Sequence, residues 1–154
     1  MERAKHLNWK SILIGSWVLV CIIAYLFFGA GNPSKEESEI HLNMMNQEMD
    51  AALQAGGTIY SRYSNAKYGG ALLFVNLNAS SWSRDLAERY RLVLLNRGWT
   101  QRTSKAGDLS LCKNGVRARI SLVSEVDSSR GQSREVYGFA MTYGGDTIKI
   151  CRSQ

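Results

Sequence analysis

The run LSLCKNGVRARISLV, residues 109–123, reads as two strands joined by a turn. Asn114-Gly115 supplies the pair of residues tolerant of positive φ that a two-residue hairpin turn requires. After the turn, Val116, Ala118, Ile120 and Leu122 alternate with Arg117 and Arg119. A period of two puts the first set on one face and the arginines on the other. The sheet containing this hairpin therefore has a core side and a wetter side, the mark of an antiparallel sheet.

Toward the carboxyl end, a polar loop over 124–134 separates the hairpin from an apolar run at 135–143. A Gly144-Gly145-Asp146 turn and a last strand over 147–151 complete the expected pattern. Toward the amino end, Ser80 or Ser81 is placed to cap a helix running to Arg97 and stopped by Gly98, with Trp82, Leu86, Tyr90 and Val93 on one stripe and Arg84, Glu88 and Arg91 opposite. Leu92 and Leu95 fall outside that stripe and are either isolated surface leucines or the rim of a protein contact.

Two further strands are expected at 58–64 and 71–78, linked by a loop holding Asn65, Gly69 and Gly70. In the second, Leu73, Val75 and Leu77 alternate with Leu72 and Phe74, so both faces are apolar near its middle, which suggests a central strand. A helix over 35–55 precedes them. Ser34 can cap it with Glu37 three residues on, and Gly56-Gly57 stops it. Leu42, Met45, Met49, Ala52 and Leu53 share one face, with Ile40 and Met44 on the other. Core packing is the simple reading of that stripe, and a Met-rich contact with a partner through Met45 and Met49 is the alternative, since thioethers adapt to irregular surfaces. The order is α-ββ-α-βββ(β): an α+β domain over 35–154, two helices on an antiparallel sheet.

Before it lies SILIGSWVLVCIIAYLFFGA, residues 11–30, without one charged side chain. As a helix it spans about 30 Å, the thickness of a bilayer's hydrocarbon core. Gly29-Ala30-Gly31 offers small residues for signal cleavage, but a signal peptide's apolar region runs only about 7 to 15 residues. The expectation is an uncleaved signal anchor: a basic cytosolic tail over 1–10, a single transmembrane helix over 11–30, a linker over 31–34 and the domain beyond. Arg3, Lys5 and Lys10 precede the apolar run, and Lys35 is the one basic residue between it and Arg62. By the positive-inside rule the amino terminus stays in the cytosol and the domain is extracytoplasmic, a bacterial inner membrane and periplasm being the favoured setting.

Cys21 falls within the apolar run, which leaves Cys112 and Cys151 as a possible disulfide in an oxidising compartment. Strand parity puts both sulfurs on one sheet face. In a plain four-strand meander, however, the first and last strands lie about 14 Å apart, and a bond needs Cα atoms within about 7 Å. The bond and the plain meander exclude one another.

Chemistry-bearing constellations are sparse. His6 and His41 are far apart, no Cys-x-x-Cys occurs, and no metal or cofactor is expected. Ser64-Asn65-Ala66-Lys67 matches Ser-x-x-Lys formally but lacks the companion elements of penicillin-recognising enzymes. Gly69-Gly70 and Gly144-Gly145 read as turns rather than phosphate cradles. Asn78-Ala79-Ser80 is a glycosylation sequon that matters only in a eukaryotic secretory pathway.

Nineteen Lys and Arg against thirteen Asp and Glu give a formal charge of +6, less dense than a nucleic-acid-binding stripe. Arg117, Arg119, Arg130 and Arg134 form either a solvated basic face or a site for an acidic partner. The function expected is that of a non-enzymatic, membrane-anchored envelope protein binding another envelope or secreted protein as an accessory subunit of a larger assembly. The alternatives are an immunity or inhibitor protein that neutralises an incoming toxin or enzyme, and an envelope-acting enzyme. The sequence leaves the oligomeric state open.

Overall fold

The computed structural model describes residues 9–29, 32–104, 108–128 and 133–152. The chain divides into two compact units, Met1–Asn32 and Pro33–Gln154. Most of the tail over 1–10 and Arg130 lie outside the described residues.

In the first unit, α1 (Trp9–Gly29) takes up nearly all of the apolar run. Its described side chains, at 13–23, are all exposed. Among the described residues no helix is long and apolar enough to cross a membrane. The spanning role of 11–30 thus gains no support from the structure and stands on the sequence.

The second unit is an antiparallel sheet with helices against it. Helix α2 (Lys35–Leu53) begins as its sequence dictates: Ser34 Oγ accepts the Glu37 N–H at 3.1 Å and the Glu37 carboxylate accepts the Ser34 N–H at 2.8 Å. That reciprocal pair satisfies two donors a helix start leaves orphaned. A tight hairpin follows, β1 (Ile59–Lys67) and β2 (Gly70–Asn78). Gly70 is required where the hairpin meets the next strand, because a Cβ there would strike the Tyr143 carbonyl oxygen.

Helix α3 (Arg84–Asn96) starts later than expected. Ser83 is its cap, accepting the Leu86 N–H at 3.1 Å, while residues 79–81 form a single 3-10 turn. Ser81 is occupied elsewhere: its hydroxyl accepts the Thr58 N–H at 2.9 Å and donates to the Asn78 carbonyl. The chain stays extended at Trp82, whose indole stacks on Tyr137 with centroids 4.7 Å apart. Leu94, rather than Val93, joins Leu86 and Tyr90 in full burial.

The remaining strands are β3 (Thr100–Arg102), β4 (Asp108–Lys113), β5 (Val116–Ser121), β6 (Glu125–Asp127) and β7 (Arg134–Gly144). The hairpin read from Asn114-Gly115 is present, with Asn114 at φ 50° and Gly115 at φ 78°. Two short strands add to the expected set: β6 lies within the segment read as a polar loop, and β3 in a stretch where no element was expected. Of the plain four-strand meander, β4, β5 and β7 lie side by side in chain order, but the fourth strand is absent. The order is β1-β2-β7-β5-β4-β3, with β6 also paired to β7. The strand β7 is the centre of the sheet, pairing with β2 along one edge and with β5 and β6 along the other.

The segment expected as a last strand is instead α4 (Gly145–Arg152). Thr147 Oγ1 accepts the Gly144 N–H at 2.9 Å and Asp146 sits in the first turn, both favouring a helix start. Helical spacing then puts Ile148 and Cys151 on one side. Ile148 packs on the core, and Cys151 bonds to Cys112 with Cα atoms 5.5 Å apart. The disulfide exists because the chain turns back over the β4–β5 turn as a helix, not because two strands share a face.

Helices α2 and α3 cover one sheet face. Met45, Met49 and Ala52 meet Leu73, Val75, Leu77, Phe139 and Tyr90 in a fully buried cluster. Each such aliphatic or aromatic side chain contributes on the order of 1.5–3 kcal/mol of transfer free energy. Among the described residues no helix covers the centre of the opposite face.

Candidate functional site

The open face follows from strand register. One row across the sheet runs Tyr63, Phe74, Ala140, Arg119, Ser110, Arg102, and the next runs Asn65, Leu72, Thr142, Arg117, Cys112, Thr100. Alternation sends these side chains away from α2 and α3, and at one end of the face Cys112 and Arg102 meet α4 instead. The strand β2 is central, as its two apolar faces suggested, between β1 and β7, but its second face is left in contact with solvent: Leu72 is 38% exposed, as is Tyr63 beside it at 55%. Tyr63, Leu72, Phe74, Ala140, Thr142, Arg117 and Arg119 line a shallow groove of about 520 Å³.

The groove continues past Tyr63 and Phe74 into a second hollow of about 460 Å³ rimmed by Glu125 and Asp127. The Phe74 ring leans over Gly138, where a Cβ would come within 3.1 Å of Cε2. Asn76 lies beyond it, donating to Ser61 Oγ at 3.1 Å and to Asp127 Oδ2 at 3.0 Å. The face carries Arg117 and Arg119 at one end, aromatic side chains at its centre, and Glu125 and Asp127 at the other, where Arg134 pairs across from Asp127 and Arg62 lines the hollow.

The two arginines are held by their neighbours. Arg117 Nε donates to Ser110 Oγ at 3.0 Å, and Arg119 Nε lies 3.7 Å from Asp108 Oδ2 in a pair half open to water. An exposed pair of that kind is worth little, so Arg119 remains available to a stronger partner. Arg134 does not join them, for its guanidinium lies 5.7 Å from the Tyr60 ring.

The other residues singled out from sequence lie elsewhere. Met45 and Met49 are at 0% exposure, so the Met stripe belongs to the core and is no partner contact. Leu92 is 46% exposed on α3, and Leu95 is half-buried against the core. Both sit on the helix layer, away from Arg117 and Arg119. Tyr63, Leu72, Phe74, Glu125 and Asp127 were not singled out; the apolar alternation of Leu72 and Phe74 was a signal for those two, and nothing local marked the others.

No nucleophilic centre assembles from the residues considered. Ser64 and Lys67 lie on β1 three residues apart, which points their side chains to opposite faces. His41 stacks on Tyr143 with centroids 3.7 Å apart, and burial lowers its pKa below 6.5 against the opposing pull of Glu37. Among the described residues, no group of three or more His, Cys, Asp or Glu is arranged to hold a metal ion.

The chain matches no protein-family model, no curated protein and no solved structure.

Proposed function

We propose that this is a membrane-anchored, non-enzymatic binding protein: residues 11–30 hold it in a bilayer, and the second unit docks another protein on its open sheet face as an accessory subunit of a larger assembly. The observation that carries this reading is the uncovered groove, where exposed Tyr63 and Leu72 adjoin Phe74 and the Arg117–Arg119 pair. Aromatic and arginine side chains together are the composition of interface centres. The Cys112–Cys151 disulfide supports an oxidising, extracytoplasmic setting for this unit. The uncharged run supports the anchor, and the basic residues ahead of it support a cytosolic amino terminus.

The test is crosslinked capture of the full-length protein from native membranes, run beside a Phe74→Glu variant whose fold is verified by circular dichroism. Identified proteins that are recovered in stable ratio with the parent and lost with Phe74→Glu support docking on this face. Recovery unchanged by the substitution, or recovery of neither another protein nor a crosslinked second copy of this chain, sinks it.

A further inference from the structure

We propose that the protein docked on the open face is a second copy of this chain, paired about a two-fold axis that crosses the strands at Gly138. The inference rests on the reading of that face as a docking surface and names its occupant.

The argument is one of register. Along a single edge of β7, Arg119 pairs with Ala140 and Glu125 pairs with Val136. Farther out, Arg117 pairs with Thr142 and Asp127 with Arg134. Each cation and its acid are equally far from Gly138, by two residues in the first case and four in the second. A two-fold axis lying in the interface, crossing the strands over Gly138, exchanges these rows. It sets Arg119 of each copy against Glu125 of the other, and Arg117 against Asp127. The face is its own electrostatic complement, as an isologous contact demands. An axis running along β7 would instead lay each arginine on the partner's β2, where no carboxylate stands.

The centre fits the same geometry. Gly138 has no side chain, and the Phe74 ring that leans across it comes to lie beside its symmetry mate, giving an aromatic contact at the axis with charge on both sides. The size is comparable: the 44 residues of β1, β2, β7, β5, β4 and β3, at about 4.8 Å by about 3.3 Å each, make a face of roughly 700 Å², of which the end at Cys112 is taken by α4, against the roughly 800 Å² per partner of a standard interface.

Sedimentation of the full-length protein in detergent tests this with Arg119→Glu, Glu125→Arg and an equimolar mixture of the two. The parent is expected to sediment as a dimer, and each single variant as a monomer, a loss of about a hundredfold or more in affinity from like charges set face to face. In the mixture every cross-pair again joins opposite charges, and the dimer returns. Both side chains are exposed and thus open to substitution, and circular dichroism verifies that each variant is folded. A monomeric parent, a dimer indifferent to either reversal, or a mixture that fails to re-pair overturns the proposal. If the parent is monomeric while Phe74→Glu still abolishes capture of another protein, the docking reading stands and the occupant is that protein. If capture is also indifferent to Phe74→Glu, both readings fall.

Discussion

Glu48 and Trp99, 51 residues apart in the chain, share a hydrogen bond: the Trp99 indole Nε1 donates to the Glu48 carboxylate at 3.2 Å. The same carboxylate, only 6% exposed, accepts from Arg97 Nε at 2.6 Å and from Lys113 Nζ at 2.8 Å. One acid thereby joins α2, the end of α3 and β4. Removing it strands a lysine and an indole in a part-buried site. Glu48→Ala is expected to cost about 2–4 kcal/mol, read as a lower denaturant midpoint with unchanged slope.

The same group sets an acid limit. Burial opposes its ionisation, and hydrogen bonds from Lys113, Arg97 and Trp99 outweigh burial, so its pKa lies below the ordinary 4.5. A carboxyl depressed in the folded state contributes stability above its unfolded pKa and loses it as pH falls through the folded one. Stability should therefore fall below pH 4.5. Glu48→Gln, measured by denaturant midpoint against pH, should flatten that fall. An identical pH profile in parent and variant would refute the assignment.

Cys112 and Cys151 close a loop of 39 residues. In the chain-entropy account a loop of that size contributes about 4 kcal/mol. Cys151→Ser, or reduction, is expected to lower the melting temperature markedly and to expose amides of α4 to hydrogen exchange ahead of β7.

Tyr90 is fully buried, and its hydroxyl donates to the Gly56 carbonyl at 2.5 Å. Burial pushes its pKa up to about 12, against a small opposing effect of Arg89. In the unfolded chain the phenol ionises near 10. The raised value means that this contribution is intact below pH 10 and lost as pH rises toward about 12. Ultraviolet titration should show one tyrosine ionising late, and Tyr90→Phe should remove that step while costing about 1 kcal/mol for the carbonyl left without a donor.

The start of α3 gives a sharper contrast. Ser83→Ala removes the cap and should cost about 1 kcal/mol, whereas Ser80→Ala, at an exposed position, should fall within about 0.5 kcal/mol of the parent. Equal losses at the two sites would contradict the cap at Ser83.

What could be read from the sequence was local. The capping box at Ser34 and Glu37, the Asn114-Gly115 hairpin and the Met45–Met49 core stripe each arise from a few adjacent residues, and each is present. Long-range pairing was hidden. No local signal tells β2 to pair with the far edge of β7, and of the two alternatives left open for Cys112 and Cys151, bond or plain meander, the structure holds the bond. The final segment, 147–151, failed for a related reason. Five residues with two isoleucines satisfy a strand or a helix equally well, and the helix start at Thr147 and Asp146 lies in the segment read as a turn. Arg117 and Arg119 were found because their alternation is local. Tyr63, Phe74 and Glu125 join them only through pairings across β2, β7 and β6.

The central position of β7 governs the timing of assembly. It is the last strand in the chain, yet β2 and β5 meet only through it. During synthesis the β1–β2 and β4–β5 hairpins emerge as two separate ribbons, each with an unsatisfied edge, and neither can close the sheet before residue 144 is available. The sheet of this unit therefore closes only once β7 is available. Until then the apolar strand Gly70–Asn78 is exposed to whatever else offers a strand, and the interval between emergence and closure is when the chain is most open to aggregation or chaperone capture.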